Sequence, residues 1–133
     1  MHKGATVAVS SPGLVSMALG EKVTADELGG WRLHSDITGL VDQAVDTEEE
    51  VLEAIKKFLS FMPSHHNEAP PDAPVPAGSG ADMAKIFDIL PESRTQVYDV
   101  KRVIRCLVDK DTMFELKPRF GKSAVTTLAR LGG

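Results

Sequence analysis

Apolar positions in the first half of the chain alternate between short continuous runs and helical spacing, the pattern of an α/β protein. Residues 6–9 (TVAV) are small or β-branched and predict a buried strand. Residues 40–45 predict a second strand. Between them, Ser11 followed by Pro12 predicts a helix start, because proline has no N–H to lose at the first helical position. Gly20 predicts the end of that helix.

Two capping boxes predict further helices in this half. Thr24 and Glu27 have the T-x-x-E spacing of a helix start, and Thr47 and Glu50 repeat it. The second box opens a helix with one apolar stripe and charged residues largely off it. The stripe is formed by Val51, Leu52, Ile55, Phe58, Leu59 and Met62.

The composition changes abruptly at Pro63. Residues 63–80 contain five of the eight prolines, which predicts an extended connector because proline is rigid and lacks a donor. We therefore predict two lobes, 1–62 and 82–133, joined by a proline-rich linker at 63–81. Lobes of this size bury only about 60% of their surface, so we expect each to pack against further chain or another subunit.

The residue pattern of the second lobe predicts two helices followed by two strands. Residues 82–90 predict a short helix ended by Pro91, and Asp99 can cap the next one. Residues 113–116 and 123–131 then predict strands.

Composition and charge exclude several classes of function. The net charge is −4, which disfavours a protein that grips phosphate backbones, so no nucleic-acid partner is predicted. No apolar run approaches the roughly 18 residues of a membrane span. The lone Cys106 cannot form an internal disulfide and is more often packed than reactive at such a site. A cytoplasmic location is the default expectation.

The sequence nominates no catalytic side chains and no metal site. No P-loop, G-x-G-x-x-G or G-x-S-x-G motif occurs. His65 and His66 are adjacent and have no Cys or His partner at i+3 or i+4, so we interpret them as solvated linker residues. The acidic run at 46–50 is explained as the negative first turn of a helix.

The chain resembles the carboxyltransferase β subunits of biotin-dependent acyl-CoA carboxylases, which act on propionyl-, acetyl- or methylcrotonyl-CoA. In the first half the resemblance rests on residues 20–30 (GEKVTADELGG), His34 and residues 38–42 (TGLVD). In the second half it rests on Tyr98-Asp99-Val100, Val103-Ile104, Phe114-Glu115, Phe120-Gly121, Val125-Thr126 and Ala129-Arg130. Thr127 departs from the family pattern, where a glycine is usual.

The resemblance implies an α/β chain that is a fragment of a duplicated crotonase-like carboxyltransferase fold. It implies transfer of a carboxyl group from carboxybiotin to the α-carbon of an acyl-CoA. The implied cofactor is biotin carried on a partner, and the implied partners are a biotin carboxylase or biotin carrier subunit and further copies in a homo-oligomer. The family's glycine-rich amide donors lie outside this segment, so we expect the fragment itself to be inactive. Gly29-Gly30 and Gly132-Gly133 are not interpreted as an oxyanion hole.

One turn is a candidate for substrate binding. Ser10, Ser11, Pro12 and Gly13 follow a predicted strand and open a helix, a place that can present N–H groups to an anion or thioester. The resemblance implies that this turn lies close to the acyl-CoA pocket; a plain helix cap is the simpler interpretation. For His34, a packing hydrogen bond is favoured over catalysis.

Two other functions stay open. A related possibility is a biotin-dependent acyl-CoA decarboxylase, such as glutaconyl-CoA decarboxylase, which resembles the same fold. It is also compatible with a non-catalytic assembly module that docks through exposed apolar faces.

Overall fold

The computed structural model describes all 133 residues and consists of helices with one two-stranded sheet. Five segments are α-helical, one is a single π-helical turn and one is a 3₁₀ turn. In chain order they are α1 (Pro12–Leu19), α2 (Ala25–Gly29), the π turn (Leu33–Ile37), α3 (Glu48–Leu59), the 3₁₀ turn (Met83–Lys85), α4 (Ile86–Ile89), α5 (Val100–Leu107), β1 (Phe114–Leu116) and β2 (Thr126–Leu128). No helix has the length and apolarity that crossing a bilayer requires.

The chain divides into two compact units. The first comprises residues 1–56 and 116–124, and the second comprises residues 57–115 and 125–133. The predicted connector, 63–81, contains turns and bends but no helix or strand. The predicted lobes 1–62 and 82–133 correspond to the end of the first copy and the start of the second copy of the duplicated family fold. That division stays a prediction.

The helix starts follow the predicted capping chemistry. Ser11 Oγ accepts a hydrogen bond from the Leu14 amide at 3.3 Å, with Pro12 as the first helical residue. In α2, the Thr24 and Glu27 side chains cap each other's backbone, which confirms the first capping box. Asp99 accepts from the Lys101 amide at 2.9 Å and caps α5.

The predicted strands are only partly formed. Residues 6–9 and 40–45 are not strands; each segment makes a single isolated bridge, Thr6 with Gly30 and Val45 with His2. A strand needs a partner along its whole length, and in this chain the partners are single residues. The strand predicted over 123–131 shortens to β2, which pairs with β1.

The apolar stripe of α3 forms on one helix but is not buried. Leu52, Ile55 and Leu59 are each about half exposed, and the helix has no buried residue. The helix predicted to carry the stripe therefore forms, but the stripe residues are not buried in this chain.

The second unit has a small aromatic core. The Phe114 ring is buried and lies 6.2 Å from the Phe58 ring and 6.4 Å from the Phe61 ring. Arg130 donates to the carbonyl oxygens of Ser60 and Pro71, each at 2.6 Å, and its guanidinium lies 5.4 Å from the Phe61 ring centre. Arg130 thus ties the proline-rich connector to the same unit.

The second capping box gives the first testable prediction. Thr47 Oγ1 accepts from the Glu50 amide, and Glu50 Oε2 accepts from the Thr47 amide, both at 3.1 Å. Thr47→Ala removes one acceptor and leaves an unpaired helix donor, which lowers the free energy of unfolding by about 1 kcal/mol. Urea unfolding followed by circular dichroism measures the loss. Thr47→Ser keeps the acceptor and is the control; equal stability of the two variants would contradict the prediction.

Candidate functional site

The predicted substrate turn, Ser10 to Gly13, lies at the exposed N-terminus of α1. Pro12 has no N–H, the Leu14 amide donates to Ser11 Oγ, and the Val15 amide donates to the Ser11 carbonyl at 3.1 Å. The Gly13 amide is the remaining donor of the first turn. The turn therefore offers one backbone N–H at the positive end of a short helix.

His34 fixes the segment that leads into this turn. The residue is 9% exposed, and its ring lies between two partners: Nε2 lies 2.6 Å from the Val7 carbonyl oxygen, and Nδ1 lies 3.1 Å from Thr38 Oγ1. A carbonyl oxygen can only accept, so Nε2 carries the proton. Both ring nitrogens are engaged within the chain. The contacts support the packing interpretation of His34.

Glycine at position 29 allows the same segment to approach closely. The Val7 amide donates to the Gly29 carbonyl at 2.8 Å, so both backbone polar groups of Val7 are held, one by Gly29 and one by His34. A Cβ on Gly29 would lie 2.2 Å from the Val7 carbonyl oxygen. A Cβ on Gly30 would meet the Asp26 carboxylate at the same distance. This glycine pair serves backbone packing.

The second glycine pair serves a buried carboxylate. Asp109 is 4% exposed, and its Oδ2 accepts from the amides of Gly132 at 2.8 Å and Gly133 at 2.9 Å. Those two N–H groups are occupied and do not point to a developing oxyanion. Charge-assisted bonds to two backbone amides also compensate the burial of the carboxylate.

Comparison with known proteins decides the family. The model of the carboxyl transferase domain matches residues 1–133. The chain belongs to the carboxyltransferase family. The crotonase-like, α/β fold implied by the sequence resemblance is thereby confirmed.

Relatives of this carboxyltransferase chain are much longer than it is. It is 33% identical over 129 residues to the biotin-dependent 3-methylcrotonyl-coenzyme A carboxylase beta1 subunit of Mycobacterium tuberculosis, covering 96% of this chain and 24% of the relative. It is 30% identical over 129 residues to the methylmalonyl-CoA decarboxylase subunit alpha of Veillonella parvula, covering 94% and 25%. The chain spans about a quarter of the length of these curated relatives.

A solved structure agrees with this assignment. A crystal structure of transcarboxylase 12S, described as a hexamer with hydrolysed methylmalonyl-coenzyme A bound, superposes with a TM-score of 0.87 at 31% identity. The match covers 100% of this chain and 26% of that one. The carboxyltransferase chain thus has the fold of one quarter of a larger subunit.

An ion pair that sequence analysis did not predict links two distant segments of the first unit. Arg119 donates from Nε to Asp36 Oδ1 at 2.5 Å and from a terminal nitrogen to Oδ2 at 2.8 Å. The guanidinium also lies 5.1 Å from the Trp31 ring centre. The Arg119 hydrogen bonds, helped by the Ser35 hydroxyl, lower the pKa of Asp36 to about 2. The partners are 83 residues apart in sequence, and no local pattern marks such a pair.

A cleft of about 470 Å³ in the second unit has Cys106 in its wall. Its ionic side chains are of both signs: Lys57, Arg105 and Lys110 alongside Asp82, Asp109 and Asp111. Lys57 Nζ donates to the Asp111 carbonyl at 3.1 Å. Cys106 is 8% exposed, which favours the packing interpretation.

The linker histidines make one local contact. His65 Nε2 lies 3.3 Å from Glu68 Oε1, three residues along the chain. No group of three or more His, Cys, Asp or Glu side chains is placed to hold a metal ion.

Gly29→Ala tests the packing that positions the predicted substrate turn. The new Cβ would collide with the backbone of Val7, so we expect the free energy of unfolding to fall by about 2 kcal/mol or more. Urea unfolding measures it. Gly13→Ala is the control, because the nearest atom to its Cβ, Ser11 Oγ, is 3.9 Å away. Similar losses in both variants would contradict the steric argument.

The Asp36 carboxyl predicts a pH dependence of stability. Its pKa in the folded chain, about 2, lies below the ordinary value of 3.8, so its stabilising contribution is present above about pH 4 and lost as the pH falls towards 2. Unfolding free energies measured across this range should fall less steeply for Asp36→Asn than for the wild type. Equal slopes for Asp36→Asn and the wild type would contradict the prediction.

Proposed function

We propose that this chain is part of the carboxyltransferase subunit of a biotin-dependent acyl-CoA carboxylase. The subunit moves a carboxyl group from carboxybiotin to the α-carbon of a short-chain acyl-CoA. The observation that carries the proposal is the family match along the whole chain, supported by the TM-score of 0.87 with transcarboxylase 12S. Because the chain spans about a quarter of its relatives, the activity belongs to the larger subunit and the isolated chain is inactive.

The proposed reaction needs preorganised hydrogen-bond donors more than reactive side chains. Loss of the α-proton would leave an enolate whose negative charge collects on the thioester oxygen. Carboxybiotin would supply the carboxyl carbon, with its nitrogen–carbon bond breaking as the new carbon–carbon bond forms, and the released biotin would take up the proton. Backbone N–H groups fixed towards the oxygen stabilise the charge as it develops. A chain without a catalytic triad is compatible with this chemistry.

The turn at Ser10 to Gly13 is the proposed contribution of this chain to acyl-CoA binding. Its support is the Gly13 amide at the N-terminus of α1, together with the small side chains that leave the approach open. The contacts of Val7 with His34 and Gly29 hold the preceding segment, so the turn is positioned by buried groups and not by the loop alone.

The C-terminal glycine pair does not fit a biotin ureido oxygen. Such an oxygen needs free N–H donors, whereas the amides of Gly132 and Gly133 donate to Asp109. We therefore assign no step through biotin to these residues. Biotin carried on a partner stays a property of the proposed complete enzyme.

The proposed partners follow from the same assignment. They are a biotin carboxylase or biotin carrier subunit and further copies of the carboxyltransferase subunit in a homo-oligomer. The hexameric transcarboxylase 12S supports the last of these. A cytoplasmic location, like that of a soluble metabolic enzyme, is part of the proposal.

A decarboxylase is the second candidate. The 30% identity to a methylmalonyl-CoA decarboxylase subunit favours it, because that enzyme name implies removal of a carboxyl group from an acyl-CoA. Both candidates place an acyl-CoA enolate at the same site. Incubating the complete subunit with propionyl-CoA and carboxybiotin, and separately with methylmalonyl-CoA and free biotin, distinguishes them by which pair reacts faster.

A non-catalytic assembly module is the third candidate, and the exposed apolar faces of the chain favour it. Carboxylation assays of the isolated chain with free carboxybiotin and propionyl-CoA do not separate it from an inactive enzyme fragment. A grafted subunit separates the two candidates. In this graft, the chain replaces the matching quarter of the Mycobacterium tuberculosis subunit. Turnover by the graft supports the enzyme. A folded, oligomeric graft without turnover supports the module.

Ser11→Ala in the graft tests the substrate turn. Loss of the cap loosens the first turn of α1 and the orientation of the Gly13 amide. We therefore expect the KM for acyl-CoA to rise by about two- to tenfold, with kcat little changed. A change of this size corresponds to the loss of about one hydrogen bond. Steady-state kinetics measure this. Thr24→Ala removes a cap from α2 and should cost similar stability without raising KM. If both variants keep the parental KM, Ser11 is only a helix cap.

A further inference from the structure

Lys117 adopts a backbone conformation that L-residues rarely use. Its φ is +53°, in the left-handed region that favours glycine. A residue other than glycine stays there only when its surroundings compensate the cost, and such residues concentrate at functional sites. The contacts of Lys117 show what this conformation achieves.

Lys117 holds the loop that follows the π turn. Its backbone amide donates to the Asp42 carbonyl at 2.9 Å. Its side-chain Nζ donates to the Gly39 carbonyl, 78 residues away in sequence, and lies 3.7 Å from Asp42 Oδ1. One residue thus fixes the loop at two points, through its main chain and through its side chain.

Gly39 is confined from two sides. It is buried, has a φ of +65°, and a Cβ on it would lie 2.6 Å from Phe120 Cδ1. Lys117 binds its carbonyl, and the Phe120 ring covers its face. The Phe120 amide also donates to the Lys117 carbonyl at 3.1 Å, so the two residues that confine Gly39 are joined to each other. The peptide groups on both sides of Gly39 are therefore restricted.

A chain of hydrogen bonds leads from this loop to the segment before the predicted substrate turn. The Leu40 amide, directly after Gly39, donates to Thr38 Oγ1 at 3.3 Å. Thr38 Oγ1 lies 3.1 Å from His34 Nδ1. In the neutral imidazole Nε2 carries the proton that is donated to the Val7 carbonyl, so Nδ1 accepts and the Thr38 hydroxyl donates. Every donor in this chain points the same way, from residue 40 towards residue 7.

We propose that Lys117 is a positioning residue for acyl-CoA binding by the complete subunit. It fixes Gly39, and the hydrogen bonds of Thr38 and His34 carry that restraint to the segment that leads into the turn at 10–13. In this role Lys117 acts through other residues and does not contact the ligand. The inference deepens the proposed function and rests on it, because it needs an acyl-CoA at this turn.

Two other roles of Lys117 predict different results. If Lys117 only stabilises its own loop, loss of the side chain lowers stability and leaves the affinity for acyl-CoA unchanged. If its ammonium group binds a CoA phosphate directly, the loss of affinity does not depend on the hydrogen-bond chain and shrinks at high salt, because salt screens exposed charges. In the positioning role, the loss depends on an intact hydrogen-bond chain and persists at high salt.

Lys117→Gly in the graft in the Mycobacterium tuberculosis subunit tests the positioning role. Glycine adopts the left-handed conformation freely, so this variant loses the side-chain contacts while its backbone strain is relieved. Isothermal titration calorimetry with propionyl-CoA gives the Kd, which we expect to rise about two- to fivefold, the effect of losing one hydrogen bond. Hydrogen exchange of the peptide 5–15, followed by mass spectrometry without ligand, should become at least about threefold faster, because the segment opens more often.

Asp111→Gly is the matched control. Asp111 is the other non-glycine residue with a positive φ, at +61°, and it lies in the second unit. The substitution relieves the same kind of strain without touching the hydrogen-bond chain. Both the Kd and the exchange of peptide 5–15 should stay at the parental values.

A double-mutant cycle with Thr38→Val tests whether the effect passes along the chain. Valine has the shape of threonine without its hydroxyl, so this variant cuts the chain between Gly39 and His34. We expect Thr38→Val to raise the Kd by itself and Lys117→Gly to add nothing in that background, because both changes act on one path. Thr38→Ser keeps the hydroxyl and should restore the parental Kd. Effects that multiply, a loss that disappears at high salt, or lower stability with an unchanged Kd each overturn the proposal.

Neither the Kd nor hydrogen exchange requires turnover, so the positioning role and the proposed function separate. Weaker binding by Lys117→Gly in a graft without turnover keeps the positioning role and counts against the enzyme. Turnover by the graft with an unchanged Kd for Lys117→Gly does the reverse. A graft that binds no propionyl-CoA overturns the positioning role outright.

Discussion

The constraint on which this structure depends is a shortage of buried apolar surface. Cys106 and Phe114 are the only buried hydrophobic residues, and no large side chain is completely enclosed. Hydrophobic burial is the main favourable term in folding, and it must offset the entropy of ordering the chain. Elements that satisfy their hydrogen bonds locally therefore form, and elements that need neighbours stay incomplete.

Buried polar side chains supply much of the long-range organisation in each unit. His34 holds the carbonyl of Val7 in the first unit, and Asp109 holds two C-terminal amides in the second. His34 and Asp109 are themselves satisfied by these contacts, which is necessary because an unpaired buried polar group costs about 1–3 kcal/mol. In the second unit the partly exposed Arg130 also binds two carbonyls.

The proposed function rests on the family match and not on the geometry of a complete site. Catalysis through backbone amides leaves no cluster of reactive side chains for a sequence or a partial structure to display. What the chain does display is a turn with one available amide, positioned from behind by His34 and Gly29. The proposed role of this turn in acyl-CoA binding depends on the rest of the domain.

The sequence by itself determined the local structure. Ser11, Thr24, Thr47 and Asp99 start their helices as predicted, since a cap needs only residues two or three positions apart. The family resemblance, too, was visible in the order of its motifs. Tertiary structure alone decided that residues 6–9 and 40–45 make single bridges, that the α3 stripe stays exposed, and that Asp36 meets Arg119. Strand pairing, burial and distant ion pairs depend on neighbours in space, and their identity is not encoded in local spacing.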